Sequence, residues 1–168
     1  VLAGDINPQV TLKLVEKYFG SINRGPEVKK LRVEPVILPT NQYANIKDNV
    51  YSPMTRRAYP TVAKYNRDEA ALDILGDMMG DGNNSIFYQK FVKPEKAVEA
   101  NAYHYSQELS GVFEIEIKSY AEDLFGMDME KHFNELEIKI DSTIDEFGKT
   151  GMTDEALQRA KAKRESSI

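Results

Sequence analysis

Cysteine is absent from this chain of 168 residues, and with it go a disulfide framework, a thiolate zinc site and a cysteine nucleophile. The absence fits any redox compartment. Histidine is scarce: His104 and His132 are the only two, so a site that needs paired imidazoles must use both. No apolar run reaches the roughly 18 to 20 residues needed to cross a bilayer, and no charged-then-apolar leader opens the sequence. The net charge of −5 is modest and spread along the chain. Without a basic stripe or aromatic interleaving, it argues against nucleic acid as the main partner.

What is present, with 41% of residues apolar, suits one ordinary core or a small domain plus a piece of another. The opening VLAGDINP lacks Met and reads as the end of a strand, so the natural N-terminus is expected elsewhere and targeting is unreadable. Asn7 as N-cap and Pro8 at the first helical position then start a helix carrying Val10, Leu14, Val15, Tyr18 and Phe19, which Gly20 stops. Residues 21–42 hold three prolines and no sustained period, which predicts an extended connector and places the domain boundary there. Residues 43–51 and 57–65 are candidate strands, although Pro53 and Pro60 limit their length or push them to an edge. Asn66 and Glu69 offer a capping box for a helix whose apolar stripe is Ala71, Leu72, Leu75, Met78 and Met79. Residues 97–106 and 111–119 alternate with period two around Leu109 to Gly111, as a hairpin does. Residues 127–147 place Phe133, Leu136, Ile140, Ile144 and Phe147 on one helical stripe, and after Gly148 and Gly151, Thr153 caps a last helix. Strands grouped beside helix pairs, with a hairpin in place of strict βαβ alternation, predict an α+β fold with an antiparallel sheet and helices packed on one face.

The Gly-Asp-Gly-Asn-Asn-Ser run at residues 80–85 could pass for a phosphate cradle. Such a cradle follows a strand, opens a helix and has fixed glycine spacing, whereas this run follows a helix and has neither spacing. Gly80 is expected to take a left-handed C-cap, Asn84 or Ser85 to cap the next helix, and Ile86, Phe87 and Phe91 to form that helix's apolar stripe. Gly80, Gly82, Asn84 and Ser85 therefore read as a structural corner. Residues 132–136, HFNEL, nearly spell the inverted zinc motif His-x-x-Glu-His, but Leu136 stands at the second ligand position and has no lone pair to give. His132 reads as a surface helix residue, and His104 as an imidazole hydrogen-bonded at the sheet edge. Ser85, Ser106 and Ser110 lack the strained Gly-x-Ser-x-Gly turn that exposes a nucleophile. Glu114 and Glu116 alternate with Phe113, Ile115 and Ile117, so their carboxylates read as solvated on one polar sheet face. No catalytic group, cofactor or metal site is assigned from these residues.

Several blocks taken in order resemble one family, the insulinase/pitrilysin-type inverted zinc peptidases, which include the mitochondrial processing peptidases. VLAGDINPQVTLKLVEKYFGSI is similar to the strand and helix that close that family's first domain. DEAALDILGDMMGDGNNSIFYQKFV is similar to the helix, glycine-rich corner and helix at the start of the following domain, where the corner is a packing turn. GMTDEALQRAKAK is similar to the helix that follows the longer helix there.

The resemblance implies a processing-peptidase-like metallohydrolase domain from a clamshell protease, in which a zinc-bearing domain faces a homologous non-catalytic one across a closed chamber. This chain resembles the second kind: residues 1–20 as the end of the preceding homologous domain, 21–42 as linker and 43–168 as a non-catalytic domain incomplete at its C-terminus. On this view no cofactor is expected in the chain itself, while zinc serves the parent enzyme and the chain alone is inactive. Its implied partners are the zinc-bearing domain and second half of the same protein, together with a peptide substrate. Many relatives carry an Arg and a Tyr seven residues apart after the helix pair, which hold the substrate backbone. The aligned positions here are Val92 and Glu99, and neither supplies a guanidinium fork or a phenol. Loss of that pair points to the zinc-bearing half of a two-half enzyme. The periplasm or cell envelope is the location that bacterial relatives suggest. The alternative is a non-proteolytic structural member resembling the core subunits of the respiratory bc1 complex.

Overall fold

Asn7 sets the first helix. Its side chain accepts hydrogen bonds from the N–H groups of Gln9 and Val10, both at 3.1 Å, at the head of α1 (Pro8–Phe19). The structure, a computed structural model, describes residues 1–120 and 128–166. Its contacts divide the chain into two units, Val1–Leu31 and Arg32–Ile168. In the first, the strand expected at Val1–Gly4 does not form, because a strand needs a hydrogen-bonded neighbour and none pairs with it. The helix forms as its cap dictates, but Val10, Leu14, Tyr18 and Phe19 are exposed and α1 has no buried residue.

The second unit holds β1 (Met54–Thr61), α2 (Glu69–Gly80), β2 (Glu99–Ser106), β3 (Gly111–Lys118), α3 (Met129–Thr150) and α4 (Asp154–Ser166). The three strands are antiparallel in the order β1-β3-β2. The hairpin of β2 and β3 is where the period-two pattern puts it, pairing Ala100 with Ile117 and Ala102 with Ile115. Pro60 lies in β1 at an outer position of the sheet, where its missing N–H costs no ladder bond. Two strand expectations change. Residues 43–51 form no strand, their alternation being too weak to recruit a partner, and the strand placed at 57–65 runs from Met54 to Thr61.

One face of the sheet carries the core. Ala100, Ala102, Phe113, Ile115 and Ile117 meet Met79 of α2, Leu136 and Ile140 of α3, and Phe87 and Phe91. Those two phenylalanines are wholly buried and stack edge to face with centroids 5.7 Å apart, each removing apolar surface worth about 2 kcal/mol from water. Tyr88–Val92 forms a π-helical turn in place of an ordinary helix, and the four-residue spacing of Phe87 and Phe91 sets both rings on one face. Of the stripe expected on α3, Leu136 and Ile140 are buried and Phe133 and Ile144 pack against the core; Met127, at its expected start, lies outside the described residues. Arg57 of β1 fastens α3 to the sheet by an ion pair to Asp141 and a 3.1 Å bond to the Glu137 carbonyl. Arg164 of α4 does the same to α2, donating to Asp77 from Nε at 2.5 Å and from Nη2 at 3.0 Å. Thr153 caps α4 as its position predicts, accepting from the Ala156 N–H at 3.2 Å.

Candidate functional site

The corner between α2 and the π-helical turn begins with a correction. Gly80 is the last residue of α2, not a left-handed cap; positive φ belongs to Gly82, at 80°. What Gly80 lacks is room, since a Cβ there would lie 1.8 Å from the Ala102 backbone nitrogen. Helix and strand touch at this point, and only glycine permits it. Asp68 is the N-cap of α2 and makes no side-chain cap bond. Asn66 instead accepts from the Asp68 N–H at 3.0 Å, while Glu69 reaches back to the Tyr65 N–H at 2.5 Å, so the expected capping box is split over two residues. Ser85 accepts from the Tyr88 N–H at 3.3 Å, as an N-cap of the helical segment that begins at Ile86 does, whereas Asn84 makes no such bond.

The corner, the turn and the outer edge of β2 enclose a groove of about 240 Å³. Gly80, Gly82, Tyr88, Val92, Glu99 and Asn101 are among its lining residues. Val92 and Glu99, drawn from different elements, thus come to one place. Val92 packs against the core, while Glu99 accepts from Lys118 Nζ and from Asn101 Nδ2, each at 2.6 Å. The Lys118 ammonium, and then the Asn101 amide, hold the Glu99 carboxyl below the usual carboxylate range. Lys118 is in turn raised above its ordinary value by Glu99.

This pair continues into a ladder across the sheet face opposite the core. Glu116 takes Arg56 Nη2 at 2.6 Å and lies 3.4 Å from Lys118, and Glu114 accepts from the Tyr103 hydroxyl at 2.5 Å. Glu116 is buried, which corrects its reading as a solvated carboxylate: the Arg56 and Lys118 side chains cover it and supply its counter-charge.

The histidines are more enclosed than expected. His104 is hydrogen-bonded in the outer strand β2, as its position suggests, but its side chain is wholly buried beneath α2, with Nδ1 2.8 Å from Asp73 and Nε2 3.0 Å from the Thr61 hydroxyl. In its neutral form Nδ1–H donates to the carboxylate, and Nε2 accepts from the hydroxyl. Gly111 leaves the gap through which they meet: a Cβ there would come within 2.6 Å of Thr61 Oγ1. His132 is half-buried, its Nε2 2.9 Å from the buried Ser119 hydroxyl, and it borders a shallow hollow with Asp128, Lys131 and Glu135. Leu136 is in the core. Each imidazole is thus engaged by protein, and no group of three or more His, Cys, Asp or Glu side chains among the described residues could hold a metal ion. These residues do not fit a catalytic zinc, which needs three protein ligands and an open position.

A family model described as the peptidase M16 inactive domain matches residues 1–164. The chain belongs to that family. The match agrees with the insulinase-type resemblance of the quoted blocks and with a non-catalytic domain. The fold of this M16 inactive domain is shared by solved structures. A protease from Helicobacter pylori is 21% identical with a TM-score of 0.66, over 98% of this chain and 39% of that one. The peptidase M16 inactive domain from Pseudomonas fluorescens is 18% identical with a TM-score of 0.73, over 98% and 38%. The inactive peptidase domain of a Bordetella parapertussis protein is 18% identical with a TM-score of 0.58, over 74% and 63%. The chain thus spans about two fifths of the length of the first two. No curated protein sequence matches it.

Proposed function

We propose that this chain is the non-catalytic part of a zinc-dependent endopeptidase, where it helps wall the proteolytic chamber and positions an extended peptide substrate. The observation that carries the reading is the groove beside β2, a strand paired on one side only among the described residues. A free strand edge offers alternating N–H and C=O groups to an extended chain, and the flanking groove receives its side chains. Residues 1–20 are then the end of a preceding homologous domain and 21–42 the linker; the division between the two units after Leu31 falls inside that linker and supports the reading. Zinc and the groups that activate water are supplied by another domain of the parent protein, and peptide is the shared ligand.

The test is a titration of the full chain with a ten-residue extended peptide, read by backbone amide NMR shifts and by mass spectrometry. Shifts concentrated at Tyr88, Val92 and residues 98–101, with the peptide intact, are the expected result. Cleavage of the peptide by this chain, or shifts that avoid the groove, would overturn the proposal.

A further inference from the structure

The groove beside β2 has two unlike sides. Neighbouring residues of a strand point to opposite faces of its sheet, so Ala100 lies on the core face with Val92, while Glu99 and Asn101 lie on the other. The core side is apolar, with glycine at the end of α2 and alanine on β2 leaving it room. The other side carries the groove's one charge among the described residues, the partly exposed Glu99 carboxylate. An extended chain laid along β2 alternates in the same way, and its side chains enter the apolar side and the Glu99 side in turn.

Glu99 is paired, but its partner is shared. Lys118 Nζ lies 2.6 Å from Glu99 and 3.4 Å from Glu116, and Glu116 also holds Arg56 at 2.6 Å. Glu114, on the same face of β3, has the Arg56 Nε at 3.9 Å and the Tyr103 hydroxyl, which brings no charge. Three carboxylates, Glu99, Glu114 and Glu116, therefore divide two cations, Arg56 and Lys118, and the ladder is one positive charge short. A further cation at Glu99 does not strand Lys118, which keeps Glu116.

We propose that the groove selects extended peptides in which an arginine or lysine stands next to an apolar residue, the cation seated on Glu99 and the apolar side chain beside Val92. This preference rests on the reading of the groove as a peptide site and names the sequences that the site favours. Backbone bonds from the strand edge are open to any sequence, so the ion pair biases the choice without being required for binding. Its effect is modest because it forms at the surface, where a charge pair changes affinity by up to about fivefold. An acidic side chain in the same place meets Glu99 with like charge and is disfavoured. The charge of Glu99 matters to peptides that bring a charge to it, so a neutral peptide is the reference for other changes at this residue.

The experiment titrates the full chain with three ten-residue peptides that differ at one central position, arginine, norleucine or glutamate, flanked by leucine. Affinity is read by fluorescence anisotropy and location by backbone amide NMR. The arginine peptide is expected to bind about threefold to fivefold more tightly than the norleucine peptide, and the glutamate peptide less tightly, with the spread narrowing as salt is raised. Glu99→Gln keeps the side-chain shape and is expected to bring the arginine peptide down to the norleucine level. Lys118→Met removes the competing cation and is expected to widen the preference. Amide shifts in the groove with equal affinity for all three peptides would overturn this preference and leave the peptide reading standing, whereas shifts that avoid the groove would overturn both. A preference for arginine that survives in Glu99→Gln would overturn the role given to Glu99.

Discussion

Gly80 and Gly82 sit two residues apart and are glycine for different reasons. Gly82 has a φ of 80° with open space around it, so Gly82→Ala costs only the left-handed penalty, about 1 kcal/mol. Gly80 has an ordinary backbone, yet its added methyl meets Ala102 backbone at 1.8 Å; Gly80→Ala must separate α2 from β2 and is expected to cost about 2 to 4 kcal/mol. Urea unfolding of the two variants checks the ranking, and equal losses would contradict it. The sequence marks both as turn glycines, because a contact between a helix and a distant strand leaves no local pattern. Lys139 gives a pH test at the same scale. Burial lowers its folded pKa, so folding binds fewer protons than unfolding, and its burden is full below about 8 and fades as pH rises toward the ordinary lysine value. Lys139→Gln should therefore raise stability at pH 7 by about 1 kcal/mol and lose that advantage near pH 11, measured by denaturant midpoints.

At the scale of elements, strong periodicity was legible and pairing was not. The β2–β3 hairpin, α1 behind Asn7 and the stripe of α3 each follow from local chemistry that needs no distant partner to be read. Residues 43–51 show what fails: a short β-rich stretch becomes a strand only when an edge is within reach. The buried ties between elements were equally hidden. Asp73, His104 and Thr61 come from α2, β2 and β1, and their meeting depends on Gly111 as much as on themselves. His104→Phe fills the space but leaves the Thr61 hydroxyl without this partner and the Asp73 carboxylate facing only the Arg164 guanidinium at 3.7 Å, and should cost about 1 to 2 kcal/mol. If the network serves only packing, His104→Phe with Asp73→Leu should recover part of that loss, because both polar ends of the main contact are then gone. Thermal unfolding of the single and double variants measures the coupling.

For the molecule as a whole, the groove ties a local substitution to the chain's proposed place in a larger enzyme. Val92 and Glu99 line it from the π-helical turn and from β2, and on the proposed reading they stand where a substrate-holding Arg and Tyr would be expected. The sequence suggests these positions but does not show that Glu99 is already committed to Lys118 and Asn101, which depends on the pairing of β2 with β3. Introducing such a pair by Val92→Arg with Glu99→Tyr breaks that exposed ion pair, a small loss, and removes a half-buried valine worth about 1 kcal/mol. The double variant should therefore fold with a modestly lower melting temperature. Placed in the parent protease, it separates two arrangements. If the other half of the enzyme supplies the substrate-holding pair, a second pair here adds no transition-state contact, and kcat/KM for peptide should stay within about twofold. A gain of tenfold or more would mean that the whole enzyme lacks the pair, and the assignment of this domain to the zinc-bearing half would fall. A parent that turns over no peptide in either form, with zinc bound or added, would instead favour a structural role resembling the bc1 core subunits, since neither form then has a chemical step for the groove to serve.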